Sequence, residues 1–269
     1  MSNLETENNQ LIGQVAIVTG GGRGIGRSIA QILARAGAKV AVAARTRDQL
    51  DETVALIQQQ GGQAISFTLD VTDQLAVEHM VSETTRQFGP VDLLVNNAGI
   101  AGDEAPIWEV DAADWWHVLE VNLKGPFLCA RAVLPGMIAR QRGKIINVVS
   151  GAGTRPSAFY SGYPVSKAAL FRLTDCLAEM TSTHGISVFA ISPGLVRTAM
   201  SQDLSLFKDV PDSDWVPVER AGELCVFLAT GKADRLSGRY LHVLDDITEL
   251  VQRTDEILEN DLYALRLRK

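Results

Sequence analysis

The stretch Thr19-Gly20-Gly21-Gly22-Arg23-Gly24-Ile25-Gly26 constrains the fold of this chain more than any other segment. It follows an apolar run at 14–19, which has the length and composition of a buried strand, and precedes a helical apolar pattern at 27–36 that Gly37 closes. Glycines let a backbone turn sharply and approach another group without a Cβ clash. A helix that starts directly after such a turn presents free N–H groups and the positive end of its dipole. A plain turn can be equally glycine-rich, but strand, glycine turn and helix in this order make a seat for a dinucleotide pyrophosphate.

The alternation continues along the chain. Strands are predicted over 39–45, 63–69, 91–95, 143–149, 186–191 and 240–243, and helices over 49–60, 75–88, 113–134, 163–182 and 220–229. Within 113–134, Gly125-Pro126 is expected to bend the helix, and Pro135-Gly136 to end it. This order predicts an α/β fold: a doubly wound parallel sheet of about seven strands, Rossmann-type, in a single domain. The domain is placed at 11–246, with a flexible N-terminal tail at 1–10 and a helical C-terminal extension at 247–269. In that extension Ile247, Leu250, Val251, Ile257 and Leu258 mark one amphipathic helix, and Tyr263, Leu265 and Leu267 alternate with Ala264, Arg266 and Arg268. Apolar area of this kind is unfavourable in water, so the extension is expected to be ordered, against a neighbouring subunit or the substrate cleft.

Composition narrows the function classes. Hydrophobic residues are 46% of the 269, enough for a large core, and charged residues are 21%. The net charge of −7 and the scattered basic residues argue against a nucleic-acid surface. No apolar run reaches membrane-spanning length and the polar first residues do not resemble a signal peptide, so a cytoplasmic protein with no membrane partner is expected. Cys129, Cys176 and Cys225 are odd in number and widely spaced, without a C-x-x-C pattern. They are read as buried reduced thiols, and no metal site is expected.

The type of dinucleotide is a question of charge. NAD-binding chains usually carry an Asp or Glu about 20 residues beyond the glycines to hold the ribose 2′-OH. Here no acidic residue lies between Gly26 and Asp48, and the second strand ends Ala43-Ala44-Arg45-Thr46 with Ala44 in the acid's place. The guanidinium forks of Arg23 and Arg45 suit a 2′-phosphate, so NADP(H) is expected in preference to NAD(H). The other reading of both arginines is an ordinary solvated side chain.

Tyr163 and Lys167 stand four residues apart at the start of a predicted helix, on one face and about 6 Å apart along its axis. A tyrosine serves as a general acid and base when a nearby ammonium stabilises its phenolate. The pair alone is a weak signal. Together with the glycine pattern and Asn96-Asn97-Ala98-Gly99, however, Tyr163-Pro164-Val165-Ser166-Lys167 makes the sequence resemble the short-chain dehydrogenases/reductases in their common single-domain form, over nearly all of 11–243.

The resemblance implies roles for individual residues. Ser150 matches the serine that hydrogen-bonds the substrate carbonyl, and Tyr163 the proton donor in reduction and acceptor in oxidation. Lys167 matches the lysine that holds the nicotinamide ribose and tunes the tyrosine, and Asn122 the asparagine of a water-mediated proton relay. For the cofactor, Gly20, Gly22, Gly24, Ile25 and Gly26 are expected at the pyrophosphate and Arg23, Arg45 and Thr46 on the adenosine-ribose side, and the resemblance implies Asp70 and Val71 at the adenine. Asn97, Ala98 and Gly99 would line its centre, and Pro193, Gly194, Val196 and Thr198 its nicotinamide end beside Tyr163 and Lys167. It further implies a homotetramer or homodimer. Plainer roles stand beside these: Ser150 as a loop cap, Thr198 as an N-cap, and Asn122 as a partner of helix backbone. Tyr160 lacks a lysine four residues on and is not the acid, though it could touch substrate; His117 and His184 have no catalytic partner.

Met200, Leu204, Leu206, Phe207, Val210 and Trp215, with Trp108 and Phe159, suggest an apolar lining for a small carbonyl or alcohol substrate, or else core or interface. Many relatives reduce 3-oxoacyl groups on acyl carrier protein through basic surface residues; the comparable places here hold Gln141 and His184, with Arg140 and Arg142 adjacent. The activity expected is NADP(H)-dependent interconversion of a ketone and a secondary alcohol, with 3-oxoacyl reduction as one form of it. The alternatives are a non-catalytic nucleotide-binding or scaffold protein, and isomerase or dehydratase chemistry on the same scaffold.

Overall fold

The computed structural model describes residues 9–202 and 204–267. The apolar run before the glycines forms β1 (Val15–Thr19), and the glycine turn leads directly into α1 (Gly24–Arg35). There follow β2 (Lys39–Ala44), α2 (Arg47–Gln59), β3 (Gln63–Thr68), α3 (Gln74–Phe88) and β4 (Leu93–Asn96). The second half runs α4 (Ala112–Leu119), α5 (Gly125–Ala139), β5 (Gly143–Val148), α6 (Gly162–Thr181) and β6 (Ile186–Ser192). It ends with α7 (Ala199–Gln202), α8 (Glu219–Ala229), β7 (Tyr240–His242), α9 (Ile247–Gln252) and α10 (Thr254–Glu259).

The strands form one seven-stranded sheet in the order β3-β2-β1-β4-β5-β6-β7, and every adjacent pair is parallel. Burial on both faces follows from period-two side chains. In β1, Ala16 and Val18 face α1, α8 and the C-terminal segment, with Ile29, Leu33, Leu224 and Leu228. Val15 and Ile17 face the opposite layer, with Val77, Met80, Leu128, Val133 and Met137 from α3 and α5. Strand order reverses between β1 and β4, so the glycine turn and the segment after Asn96 flank the same crevice at the carboxyl ends of the strands, where doubly wound sheets bind ligands.

Three expectations about elements need correction. Helix α5 does not end at Pro135-Gly136; it continues to Ala139. Pro135 and the residue four before it, Arg131, are both exposed, so water can satisfy the carbonyl that proline leaves unpaired, while buried Leu128, Val133 and Met137 hold the helix to the sheet. The irregularity expected at Gly125-Pro126 lies one turn earlier, as a π-helical turn over Glu120–Lys124 between α4 and α5. Cys129 and Cys225 are buried, but Cys176 is exposed.

The C-terminal extension is also different. It forms two short helices instead of one, with Arg253 between them. Much of its apolar face is covered by the chain itself: Ile247, Leu250 and Ile257 are buried in the same core as α1 and α8, while Leu258 and Leu267 stay exposed. Beyond α10 the chain runs along the outer side of β7, where the N–H of Tyr240 donates to the carbonyl of Tyr263. Arg172 of α6 donates to the carbonyl of Leu265, and Arg266 pairs with Asp175 of α6 and with Asp261. The apolar face that pointed to a neighbouring subunit thus has an intramolecular partner. Residues 1–8 of the expected N-terminal tail, the last two residues and the side chain of Leu206 lie outside the described residues.

Candidate active site

The glycine turn is closely packed at Gly20 and Gly26. Gly20 has φ +66°, and a Cβ there would lie 2.7 Å from Asn97 Nδ2; one on Gly26 would lie 2.2 Å from the Gly20 carbonyl. Both positions therefore exclude any side chain. Asn97 Nδ2 donates to the Thr19 and Gly20 carbonyls at 2.9 and 3.3 Å, and Thr19 Oγ1 accepts from the N–H groups of Asn97 and Ala98, both at 3.1 Å. The sequence places Asn97 along the cofactor's centre; its side-chain amide also ties the end of β4 to the glycine turn. Sequence reasoning missed Arg27 and Thr53. Arg27 donates to the Gly22 carbonyl and pairs with Glu52, while Thr53 Oγ1 donates to the Gly21 carbonyl at 3.0 Å. Only their place on the inner sides of α1 and α2 could have pointed to them.

What the turn leaves free fits a pyrophosphate. Arg23 is the N-cap of α1 in extended conformation, no side chain caps the helix, and its first turn contains no acid. The N–H groups at Gly24, Ile25 and Gly26 meet a positive helix end with no competing carboxylate, beside Gly22. Arg23, Arg45 and Thr46 are exposed, and neither arginine forms an ion pair among the described residues. Asp70 is half-buried after β3. Burial alone would raise its pKa, but hydrogen bonds from the Thr72 N–H and hydroxyl, both 2.8 Å, with the charge of Arg45, hold it below the usual value. Buried Val71 packs where a Cβ on Gly125 would lie 2.7 Å from it.

On the other side of the crevice, α6 carries Tyr163 and Lys167 on one face as the spacing predicts. Lys167 Nζ lies 5.4 Å from the Tyr163 ring centroid and donates to the Val148 carbonyl at 2.8 Å. Ser150 lies two residues beyond β5; it hydrogen-bonds Tyr163, and its Oγ also accepts the Ala152 N–H at 3.2 Å. Site contact and loop cap are thus combined in Ser150. Asn122 is fully buried in the π-helical turn. Its Oδ1 accepts from the Ile100 N–H and its Nδ2 donates to the Ile100 carbonyl, both at 2.9 Å, and to Ser166 Oγ at 3.0 Å. It thereby links the segment after Gly99 to the helix of Tyr163. A Cβ on Gly99 would lie 3.2 Å from Asn122 Oδ1 and 3.6 Å from Lys167 Nζ, so this backbone approaches both closely.

Asn96 and Asn147 also position α6, a role that neither residue showed in the sequence. Asn96 Nδ2 donates to Asn147 Oδ1, and Asn147 Nδ2 to Thr174 Oγ1, each at 2.9 Å and fully inside the protein. This buried chain joins β4, β5 and α6. The two bonds favour a single arrangement, since a shift of any of the three elements would break one of them, although Asn96 Oδ1 itself has no partner among the described residues.

The electrostatics of the pair differ from expectation. Burial pulls the Lys167 ammonium down to about 8. Burial also raises the Tyr163 phenol above its ordinary value, with the Ser150 hydrogen bond acting in the opposite direction. Spacing alone suggested a phenol lowered by the ammonium; in the structure desolvation of the phenol prevails.

After β6, Gly194 has φ +73° and Val196 is buried. Thr198 Oγ1 accepts the Ser201 N–H at 3.3 Å, so the cap role considered for it is present at α7. Of the expected apolar lining, Leu204 is buried and Phe207 packs on Trp215 with centroids 6.3 Å apart, but Trp108 and Phe159 are 81% and 63% exposed. His117 and His184 are engaged away from Tyr163, with Glu120 and Gln141. No group of residues suited to a metal ion, and no helix long and apolar enough to cross a membrane, occurs among the described residues.

Comparison with known proteins agrees with this geometry. The family profile of the short chain dehydrogenases matches residues 14–209. A short chain dehydrogenase of Pseudocercospora fijiensis is 42% identical over 192 residues, which are 71% of this chain and 62% of that relative. A 3-oxoacyl-[acyl-carrier-protein] reductase of Staphylococcus epidermidis is 36% identical over 237 residues, covering 85% of this chain and 96% of the reductase. Among solved structures, a gluconate 5-dehydrogenase from Burkholderia cenocepacia in complex with NADP and tartrate superposes with a TM-score of 0.81 at 31% identity, covering 91% of this chain and 98% of that one. The chain belongs to the short-chain dehydrogenase/reductase family, whose members are NAD(P)-dependent oxidoreductases acting on small molecules.

Proposed function

We propose that the chain interconverts a ketone and a secondary alcohol with NADP(H), using Tyr163 as general acid and base. The observation that carries this reading is the convergence of Ser150, Tyr163 and Lys167 at the carboxyl end of β5, beside the Gly99 backbone that follows β4. When bound, NADP(H) supplies or accepts the hydride. In reduction the carbonyl oxygen gains negative charge, and the hydroxyls of Ser150 and Tyr163 donate to it. Tyr163 then gives up its proton, and buried Lys167 steadies the resulting phenolate and holds ribose hydroxyls. Asn122 keeps the Ile100 backbone and α6 in register, at the place where a proton relay to solvent would start.

NADP(H) is preferred on the strength of Arg23 and Arg45, both exposed and unpaired with any described acid, and of Ala44 where an acid would bind a 2′-OH. The NADP held by the Burkholderia relative supports the same choice. Small-molecule ketones are favoured over acyl carrier protein. Arg140 and Arg142 both pair with Asp92, and Gln141 contacts His184, so these basic groups are already engaged within the chain. A scaffold that only binds nucleotide would have no use for the Ser150, Tyr163 and Lys167 arrangement.

The test is Tyr163→Phe. NADPH-linked turnover of a ketone panel should fall at least about a thousandfold, with NADP affinity changed by no more than a few-fold. Turnover near that of the parent would overturn the assignment. The raised phenol sets the pH dependence. Tyr163 stays protonated through neutral pH, so reduction should hold there and decline in the alkaline range, whereas alcohol oxidation, which needs the phenolate, should rise with pH. Parallel reduction and oxidation profiles would contradict this.

A further inference from the structure

Three residues before Tyr163, on the extended segment that enters α6, lies Tyr160. Its neighbour Phe159 is 63% exposed, yet Tyr160 is only 7% exposed. Its ring stacks on that of Tyr163, with centroids 5.4 Å apart and planes at 23°. The Tyr160 hydroxyl is buried and makes no hydrogen bond with any described residue. Buried hydroxyls are almost always paired, so one that is not, beside the reacting tyrosine, calls for a partner brought by a ligand.

The surroundings restrict what that partner is. Burial, Tyr163 and the carboxylate of Glu104 all push the Tyr160 phenol upward, so it remains a neutral donor. Glu104 belongs to the segment between β4 and α4, and its Oε2 accepts the Ser205 N–H at 2.9 Å from the segment after α7. The carboxylate of Glu104 is thus within electrostatic reach of the phenol, on a segment tied to the one after α7. A substrate carboxylate would be repelled by Glu104. A methyl group would leave the phenol unpaired. A neutral hydroxyl fits both neighbours, because it accepts from Tyr160 and has a proton to donate toward Glu104.

We infer that Tyr160 is a specificity-determining residue that binds a neutral hydroxyl group carried close to the reacting carbonyl, so that hydroxyketones and the matching diols are the substrate class. This rests on the ketone–alcohol reading above. A site built around a hydrogen bond discriminates strongly against the analogue that lacks the bonding group, because its own polar atom is then left unpaired. Discrimination against the carboxylate analogue comes from charge.

Hydroxyacetone, butanone and pyruvate make a matched set of probes: similar in size, and differing in hydroxyl, methyl or carboxylate at one position. The NADP⁺-loaded protein allows binding to be followed without turnover. Hydroxyacetone should raise the melting temperature of the parent more than butanone or pyruvate does, and Tyr160→Phe, which keeps the stacked ring, should abolish that difference. In steady-state reduction the ratio of kcat/KM for hydroxyacetone over butanone should fall at least about tenfold in Tyr160→Phe. The unliganded variant should melt no lower than the parent, since the hydroxyl removed has no partner in the chain. A preference for hydroxyacetone that survives in Tyr160→Phe, equal stabilisation of the parent by all three probes, or no shift with hydroxyacetone would overturn the inference. Full turnover by Tyr163→Phe would instead remove the ketone–alcohol reading, and the binding comparison would still decide the role of Tyr160.

Discussion

The two walls of the crevice are built on different principles. The glycine turn is held through its own carbonyls: the side chains of Asn97, Thr53 and Arg27 all donate to them, and Gly20 and Gly26 leave no room for a Cβ. The segment 197–217 is held by short local backbone turns and by a few contacts of exposed side chains. Among its described residues it contains only the short α7 and isolated helical turns, with the exposed Arg197–Asp212 pair, Arg197 over the Trp215 ring at 5.0 Å and the Glu104–Ser205 bond. The first wall accepts one backbone shape and one kind of ligand. The second can change its side chains without changing the fold, which suits the part of an enzyme that chooses a substrate.

Substitutions on the two walls should therefore have unequal effects. The largest is expected for Gly26→Ala, whose methyl would lie 2.2 Å from the Gly20 carbonyl. NADP affinity should drop more than about a hundredfold, by calorimetry or fluorescence titration, because the turn must open to accept it. Near-normal affinity would show that the turn is less confined than its packing implies. Arg45→Asp should have an intermediate effect, removing a phosphate partner and adding a repulsive charge. The ratio of kcat/KM for NADPH over NADH should decline by about ten- to a hundredfold. A parent that already favours NADH would contradict the charge assignment. The smallest effect on stability is expected on the second wall. Asp212→Asn breaks a pair whose side chains are 54% and 93% exposed, so unfolding free energy should change by less than about 1 kcal/mol, while KM for substrate is free to move. A loss of several kcal/mol would mean that this wall is as rigid as the first.

The same contrast explains what could be read from the sequence. Strand and helix order was legible because buried strands and amphipathic helices have different periods, and the cofactor turn because only glycine satisfies its backbone. The Tyr163–Lys167 pair was legible because helical spacing fixes a shared face. The anchoring of α6 was not: Asn96, Asn147 and Thr174 are far apart in sequence and meet only once β4, β5 and α6 are assembled. Nor was the direction of the Tyr163 shift, which depends on burial from several elements. The C-terminal extension carried a visible apolar pattern but no indication of what it covers, and the answer is the chain's own α1–α8 core and the edge of β7.

The most direct test of the account follows the hydride itself. NADPH carrying deuterium at the transferred position, incubated with the parent and with Tyr163→Phe and a hydroxyketone in a single turnover, reports transfer as label on the carbinol carbon of the product. The account predicts label at that carbon with the parent and almost none with Tyr163→Phe, although both bind the cofactor. Unlabelled product from the parent, or equal labelling by both proteins, would contradict it.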